Sequence, residues 1–334
     1  MPSRGFENPL LLIFAVSKVS LWANQKPTTN SQQPIMLLYL GELAALATAF
    51  CWSTTAIFFS YSGRRIGSHV VNRSRLIFAL LFIALSHLVL EGTLFPLGVE
   101  PFRWGWLGVS SVLGLVLGDT FLFYAYVLIG PRLSMLMMSL VPIINTVAGR
   151  VLFQETISGF ELGGILLAVA GVAWVVTEPR VEGTVVENKQ YGRGLLAALA
   201  GALGQATNLI AAKYGLVGDF PPVSATLIRL LVAVIVLWGL AALRGEAGAT
   251  VRKWRDRKSF WAMMGGTISG PFLGIWLSMV AVQLARLGIA STLMALPPVI
   301  LIPVEYIVYR TRVSARGLVG TVVAIGGVAL ILLT

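Results

Sequence analysis

Long apolar stretches, separated by short polar segments, make up most of the sequence. Ten of these stretches hold about 20 mostly apolar residues each, the length that an α-helix needs to cross the hydrocarbon core of a bilayer. The predicted spans, numbered 1 to 10, cover approximately residues 41–62, 71–90, 104–128, 133–153, 159–177, 194–215, 222–243, 259–284, 288–309 and 316–334. The pattern therefore predicts an all-α integral membrane protein with ten transmembrane helices.

The composition supports this prediction and excludes most soluble classes of protein. Of the 334 residues, 57% are apolar and only 12% are charged, and the mean hydropathy is +0.84. Soluble domains carry about 25% charged residues, so this chain has too few charges to cover a surface in water. The net charge of +11 comes from short basic runs between the spans, which indicates membrane topology and anionic headgroups rather than nucleic acid.

The residue types that enzymes and metal sites use are scarce. The one cysteine, Cys51, excludes a disulfide framework and a cysteine-based zinc site, and the two histidines lie at opposite ends of span 2. The sequence contains neither GxxxxGK(S/T), the phosphate-binding loop of nucleotide-driven motors, nor the zinc motif HExxH. We therefore expect no enzyme activity, no cofactor and no metal.

The first 37 residues form a separate segment. Within it, Pro9–Ala23 is apolar but short, contains Lys18 and is followed by the polar tract Asn24–Pro34. Three interpretations are open: a signal sequence, an eleventh helix, or a helix that lies in the membrane interface.

The two halves of the chain contain an internal repeat. Leu43–Thr54 matches Leu196–Thr207 at seven of twelve positions. Four further blocks follow in the same order, and all five offsets lie between 153 and 156: Arg75 with Arg229, Gly114 and Gly118 with Gly270 and Gly274, Pro142 with Pro298, and Gly171 with Gly327. Low-complexity apolar sequence does not produce five ordered matches by accident.

Each repeat holds five spans, and this odd number places the second repeat upside down in the membrane relative to the first. We expect an N-terminal segment at 1–37, a first repeat at 38–178, a linker at 179–193 and a second repeat at 194–334. Inverted repeats build many secondary transporters, with the substrate site near the midplane between the halves. The alternative is a duplication that serves only to make a stable bundle.

The order of these features resembles the EamA-type transporters of the drug/metabolite transporter superfamily over roughly residues 40–334. The shared features are small-residue first helices, leading arginines, matched prolines and an acidic end of span 4: Ala44–Thr54, Ala197–Thr207, Arg75, Arg229, Pro142, Pro298 and Phe153-Gln154-Glu155. The chain departs from the pattern at Thr311, which takes the Glu155 position in the second half, and at Asp119 and Glu305, which have no acidic counterpart in the other repeat. The resemblance implies a carrier of small organic metabolites, often an exporter, with a central cavity built mainly by spans 1, 3, 4, 6, 8 and 9.

Two acidic residues lie more than one helical turn inside their predicted spans, and a charged side chain at a helix centre costs about 2.5–3.5 kcal/mol. Asp119 is near the middle of span 3, on one helical face with Phe123. We expect it either to bind an amine or carry a proton, or to pair with a neighbouring arginine or serine. We expect Glu305, in span 9, either to line the site near the helix-bending Pro298 or to pair with Arg310 at the interface.

Amides and aromatic residues complete the predicted substrate site. Gln205 and Asn208 share a face of span 6, and their repeat equivalents in span 1 are Trp52 and Thr55. Two amides and an indole on symmetry-related faces suit a mixed polar and aromatic pocket, with hydrogen bonding between helices as the alternative. The remaining predicted site residues are Asn145, Tyr124 and Trp276.

Arginines and glycines recur at matched positions of the repeats. Arg75 and Arg229 lie near the start of spans 2 and 7, where we expect them to anchor the helices to lipid headgroups, with gating or contact to an anion as the alternative. The paired glycines of spans 3 and 8 are expected to let neighbouring helices approach closely.

The basic residues also predict the orientation. Seventeen of the 25 Lys and Arg residues lie in loops that follow odd-numbered spans or at the adjoining helix ends, six of them between Arg244 and Lys258. By the positive-inside rule these loops are cytoplasmic. The family resemblance instead implies cytoplasmic termini for the ten-helix core, and we give the charges precedence.

Together these features predict a secondary transporter of the cell membrane, an exporter or exchanger of a small organic metabolite such as an amino acid or amine, that works by alternating access. Its expected partners are the substrate, the lipid bilayer and, as one option, coupled protons, and its expected state is a monomer or homodimer. The alternative is a membrane channel or a scaffold subunit without carrier activity. Saturable flux distinguishes a carrier from a channel, and a scaffold shows no flux.

Overall fold

A computed structural model describes residues 39–176, 188–297, 299–300 and 315–332. All regular structure in these ranges is helical. The segment 1–37 with its three interpretations, the matched Pro298, and the predicted site residue Glu305 lie outside the described residues.

Helices follow one another along both halves of the chain. In the first half they are α1 Leu40–Ile66, α2 Ser68–Glu91, α3 Pro101–Ser111, α4 Asp119–Met138, α5 Leu140–Leu152 and α6 Gly159–Val176. In the second half they are α7 Asn188–Gly215, α8 Pro222–Leu243, α9 Ala247–Arg252, α10 Arg257–Thr267, α11 Ile275–Leu284, α12 Leu287–Met294 and α13 Ala315–Leu332. Two π-helical segments, Val112–Gly118 and Ile268–Gly274, join α3 to α4 and α10 to α11 without a break.

Six helical stretches of the described chain are long and apolar enough to cross a membrane: Leu40–Gly63, Ser68–Glu91, Pro101–Ala125, Tyr191–Gly215, Pro222–Leu243 and Arg257–Leu284. They correspond to predicted spans 1, 2, 3, 6, 7 and 8. Predicted spans 4, 5 and 10 contain the shorter apolar helices Leu140–Leu152, Gly159–Trp174 and Gly317–Leu332, and span 9 is described only in part. The all-helical membrane class is therefore confirmed, whereas the count of ten spans extends beyond the described residues.

The predicted break between spans 3 and 4, at residues 129–132, is wrong. Helix α4 continues through Gly130 and Pro131 to Met138, and the turn lies at Ser139. Glycine and proline are tolerated inside membrane helices, because neighbouring groups satisfy the backbone carbonyl that proline leaves without a donor. These two residues therefore do not mark the end of the helix.

Local sequence explains where several helices begin. Pro101 and Pro222 occupy the start of α3 and α8, where a missing backbone N–H does no harm. At the start of α6, the Glu161 carboxylate accepts the Ser158 backbone N–H at 2.7 Å, and the Ser158 hydroxyl accepts the Glu161 N–H at 3.1 Å. This reciprocal capping box fixes the first turn of α6.

Helices of one half pack mainly on helices of the other half. Helices α3 and α4 of the first repeat pack on α7 of the second, and their equivalents α10 and α11 pack on α1 of the first. The two sets of contacts are therefore related by the symmetry of the repeats. Helix α2 packs on α8 and α6 packs on α13, so each of these helices contacts its own repeat equivalent. Helix α5 packs on α12, which corresponds to residues 131–138 at the end of α4. On the outer faces, Leu85, Ile235 and Val322 are more than half exposed, which suits a surface that faces lipid.

Glycines bring α6 and α13 together. A Cβ atom on Gly171 would lie 2.5 Å from the backbone nitrogen of Ala324, and one on Gly327 would lie 2.4 Å from the nitrogen of Ala168. Both distances are far below van der Waals contact, so any side chain at these positions would push the helices apart. Small residues at helix interfaces are the usual means of close packing in membranes.

Candidate functional site

Asp119 begins α4 and forms a buried ion pair. The Arg75 guanidinium of α2 donates through Nη2 to one carboxylate oxygen. Gln205 of α7 donates to the other oxygen at 2.9 Å. Because only 9% of the Arg75 side chain and 13% of the Asp119 side chain are exposed, the pair lies inside the bundle. The predicted pairing of Asp119 with a neighbouring arginine is therefore confirmed.

Arg75 is held on all sides by helices of the first repeat. Its Nε donates to Asn72 Oδ1 at 2.9 Å, and its guanidinium carbon lies 5.6 Å and 5.3 Å from the ring centroids of Phe59 and Phe123. Arg75 is 8% exposed and stands seven residues into α2. The prediction that it anchors the helix to headgroups is wrong, because α2 begins earlier than the predicted span and carries the arginine into the bundle.

Asn208 of α7 joins this pair to a second buried arginine. Its Nδ2 donates to Gln205 Oε1 at 3.2 Å, and its Oδ1 accepts from Ser110 Oγ at 2.7 Å and from Arg229 Nη2 at 2.6 Å. Arg229 of α8 is 2% exposed, and its Nη1 lies 3.0 Å from Met279 Sδ. Headgroup anchoring is therefore wrong for Arg229 as well.

These bonds form a continuous chain from α2 through α4 and α7 to α8. We call it the interior network, and its members are Asn72, Arg75, Ser110, Asp119, Gln205, Asn208 and Arg229. It contains three of the predicted site residues and connects the two repeats. Its charged groups are two guanidinium ions and one carboxylate.

The two π-helical segments pack against Asn208 and Thr55, which occupy equivalent positions of the two repeats. A Cβ atom on Gly114 would lie 2.5 Å from Asn208 Cγ, and one on Gly270, its repeat equivalent, would lie 2.4 Å from Thr55 Oγ1. The predicted close approach of helices at these glycines is therefore confirmed on both sides. The irregular backbone thus occurs at the same position of both repeats.

Three predicted aromatic site residues lie apart from the interior network. Trp276 is 5% exposed and packs on Phe272, with ring centroids 6.1 Å apart. The indole nitrogen of Trp52 would be 2.9 Å from a Cβ on Gly274. Tyr124 is 50% exposed. In the described part of the chain, none of the three aromatic side chains has a hydrogen bond or ring contact to the interior network.

Asn145 of α5 is fully buried, and neither its Nδ2 nor its Oδ1 has a hydrogen-bond partner in the described structure. An unsatisfied buried polar group costs about 1–3 kcal/mol. The amide therefore offers a donor and an acceptor that a bound molecule would satisfy.

Ion pairs between the repeats tie one end of the bundle. Lys213 of α7 donates to the Glu155 carboxylate, which also accepts the backbone N–H of Leu287 at 2.9 Å. Nearby in sequence, Arg286 pairs with the Glu161 carboxylate through two hydrogen bonds. In both cases the acid belongs to the first repeat and the base to the second.

Two further ion pairs join the repeats at the opposite end of the bundle, where α1 ends and α2 begins. Arg65 pairs with Asp256 at 3.2 Å, and Arg73 pairs with Glu246. The backbone N–H of Ser259 holds the pKa of Asp256 below its usual value, and the hydrogen bond from Arg73 holds the pKa of Glu246 below its own. Here the base belongs to the first repeat.

Sequence reasoning noticed both buried arginines but placed them too near the membrane surface. Arg229 lies seven residues inside the predicted span 222–243, which is about 10 Å along a helix axis and deeper than the headgroups. The depth of Arg229 within the predicted span was the signal in the sequence that this arginine is buried. Nothing in the sequence singled out Asn72 or Ser110, because their roles depend on partners from other helices.

Comparisons with known proteins agree with this fold. The EamA-like transporter family matches residues 39–177 and 192–333. A solved structure described only as "Crystal structure of protein" superimposes with a TM-score of 0.71 at 18% sequence identity, over 87% of this chain and 96% of the other. At this identity the likeness concerns the fold alone. No curated protein matches the chain.

Proposed function

Because this chain belongs to the EamA-like transporter family of multi-pass membrane proteins, we propose that it is a secondary transporter of a small organic metabolite, such as an amino acid or amine. Members of the family are transporters, not enzymes. In our proposal the protein is an exporter or exchanger of the cell membrane that works by alternating access. Proton coupling through Asp119 is part of the proposal.

The proposed architecture has ten spans in two inverted repeats, at 38–178 and 194–334, joined by a linker at 179–193. Each repeat would cross the membrane five times, so the two would insert in opposite orientations. The reciprocal packing of α3 and α4 on α7, and of α10 and α11 on α1, supports this symmetry.

The interior network is the observation that carries the proposal. A charge at the centre of a membrane helix costs about 2.5–3.5 kcal/mol, and the network holds Arg75, Asp119 and Arg229 between the two repeats. Ionisable groups inside membrane bundles typically mark substrate or ion pathways. A duplication that served only stability would place apolar side chains there. The proposed site consists of the network and Asn145, with Glu305, Trp52, Tyr124 and Trp276 retained as predictions.

The ion pairs at the two ends support alternating access. Each end carries two ion pairs between the repeats, so in this proposal one end opens as its own pairs separate while the pairs of the other end stay formed. The pairs of Arg65 and Arg73 have partly exposed acids, and exposed pairs contribute at most about 1 kcal/mol each, which lets them break and reform. The matched π segments place irregular backbone beside the network, and such segments are frequent at functional sites.

The proposed orientation puts the end that contains Arg65 and Asp256 in the cytoplasm. The segment that follows α8 contributes six of the seventeen basic residues assigned to that end, including Arg252, Lys253 and Arg255. The positive-inside rule supports this placement.

The test is transport by the purified protein in liposomes, screened with labelled amino acids, polyamines, nucleosides, sugar phosphates and cationic drugs. We expect saturable flux of one class that unlabelled competitors reduce. Flux that rises linearly with concentration would indicate a channel, and a folded protein without flux of any class would indicate a scaffold.

The site itself is tested by Asp119→Asn, with Glu100→Gln as the matched control. Glu100 is an exposed acid whose ion pair in the described structure is with Arg103, within its own helix turn. We expect Asp119→Asn to reduce flux at least about tenfold or remove its pH dependence, and Glu100→Gln to have no effect. Wild-type kinetics in folded Asp119→Asn would remove Asp119 from the site.

A further inference from the structure

The second buried arginine of the interior network has hydrogen-bonding capacity to spare. Arg229 is 2% exposed, yet its Nε has no hydrogen-bond partner in the described structure. Its Nη2 donates to Asn208, whereas its Nη1 faces only the thioether sulfur of Met279, a weak acceptor. A guanidinium ion in a low-dielectric interior normally has its five N–H groups directed at stronger acceptors.

The first repeat shows what Arg229 lacks. Arg75, its repeat equivalent, pairs with the Asp119 carboxylate and directs its Nε at the Asn72 side chain. The residue that corresponds to Asp119 in the second repeat is Ile275, and within the described residues no carboxylate lies within 4.0 Å of the Arg229 guanidinium.

The Asn72 position is also changed in the second repeat. It is occupied by Thr226, whose hydroxyl donates to the backbone carbonyl of Pro222. The two side chains that accept from the first arginine therefore have no accepting counterpart beside the second, which donates to Asn208 instead.

We infer that Arg229 binds an anionic oxygen group of the substrate, a carboxylate, in the place that Asp119 takes beside Arg75. The interior network holds two guanidinium charges and one carboxylate charge, so one further negative charge makes it neutral. A carboxylate supplies one charge and matches the planar fork of a guanidinium. A doubly charged phosphate would leave an excess of negative charge.

This inference rests on the proposed transport function and narrows its substrate class. An amine without an acidic group has no partner here, because the Asp119 carboxylate is already engaged by Arg75 and Gln205. An amino acid or another monocarboxylate satisfies the free Nε of Arg229. Since Arg229 is buried, the carboxylate reaches it only when the repeats separate at one end.

The first test compares the stability of the ligand-free protein in lipid nanodiscs between Arg229→Met and Arg75→Met. Removing Arg229 eliminates a buried charge that has no carboxylate within 4.0 Å in the described residues, so the melting temperature is expected to stay the same or rise. Removing Arg75 leaves the Asp119 carboxylate without its cation, so the melting temperature is expected to fall. Equal losses in both variants would overturn the inference, because Arg229 would then be a structural residue whose partners are already present.

The second test measures binding with matched probes. Amino acids, hydroxy acids and keto acids are each compared with the corresponding carboxamide, by the shift in melting temperature of the wild type. At least one acid is expected to stabilise the protein while its amide does not. Arg229→Met is expected to raise the Kd of that acid at least about tenfold, the loss typical of a hydrogen bond to a charged group, and Arg229→Lys is expected to retain part of the affinity.

The outcomes separate this inference from the proposed function. If no carboxylate stabilises the wild type, or if an acid and its amide bind equally, Arg229 is not an anion site. Saturable flux of an amine that is unchanged in Arg229→Met would leave the transporter proposal standing and reject the carboxylate. Absence of saturable flux for every compound class would instead reject the transporter proposal.

Discussion

The pair formed by Arg75 and Asp119 gives the sharpest energetic prediction. Both side chains are nearly buried, at 9% and 13% exposure, and both carboxylate oxygens of Asp119 are occupied, one by Arg75 and the other by Gln205 at 2.9 Å. The perturbation is a double-mutant cycle of Arg75→Met, Asp119→Leu and the combined variant. Each single change removes one partner and strands the other charge in the bundle.

Breaking a buried pair from one side costs about 3–5 kcal/mol, whereas replacing both charges by apolar side chains is often neutral or stabilising. We therefore expect each single variant to lose about 3–5 kcal/mol and the double variant to lose less than either single variant. The coupling energy is then at least about 3 kcal/mol. This value follows from burial alone and does not depend on the substrate.

The assay is equilibrium unfolding of the purified protein by SDS in mixed micelles. The matched control is the cycle on Arg65 and Asp256, whose side chains are 47% and 30% exposed and whose coupling is expected below about 1 kcal/mol. A coupling of less than 1 kcal/mol between Arg75 and Asp119, or one equal to the control, would refute the description of the network as a buried and mutually dependent set.

Three further predictions concern packing, pH and orientation. Gly171→Ala, whose Cβ would lie 2.5 Å from the Ala324 nitrogen, is expected to lower stability by about 1–3 kcal/mol in the same unfolding assay, whereas Gly326→Ala, which meets nothing within 4 Å, is neutral. The pKa of Asp256 is lower in the folded protein than its usual value of about 3.9, so the ionised carboxylate stabilises the protein above that pH. The stability difference between wild type and Asp256→Ala should therefore vanish as the pH falls through the folded pKa. A difference that stays constant with pH would contradict this. Arg255→Cys, exposed in the loop after α9, should react with impermeant thiol reagents only from the cytoplasmic side, in a cysteine-free background; labelling from outside reverses the orientation.

Much of the fold could be predicted because the bilayer limits what the chain can do. Apolar stretches of fixed length predicted six of the long helices closely. The repeat predicted which positions correspond, and the paired glycines do lie against Asn208 and Thr55. Apolar length and the internal repeat were sufficient here, because small residues at matched positions of membrane helices typically allow those helices to approach closely.

The partners inside the bundle could not be predicted in the same way. Asp119 was recognised as a costly charge, but its cation comes from a helix 44 residues earlier in the chain, and no local pattern identifies it. The continuation of α4 through Pro131 depends on its surroundings rather than on the proline itself. The π segments were not predicted either, although both contain the paired glycines of the repeat.

Counterflow tests whether the protein works by alternating access. Liposomes that contain the purified protein are preloaded with an unlabelled compound that saturates uptake, and the entry of the labelled compound is followed. The binding site of a carrier returns across the membrane faster when it is loaded, so we expect severalfold faster entry into preloaded vesicles, a response that Asp119→Asn reduces or abolishes. Entry that ignores the internal compound and rises linearly with external concentration would contradict alternating access.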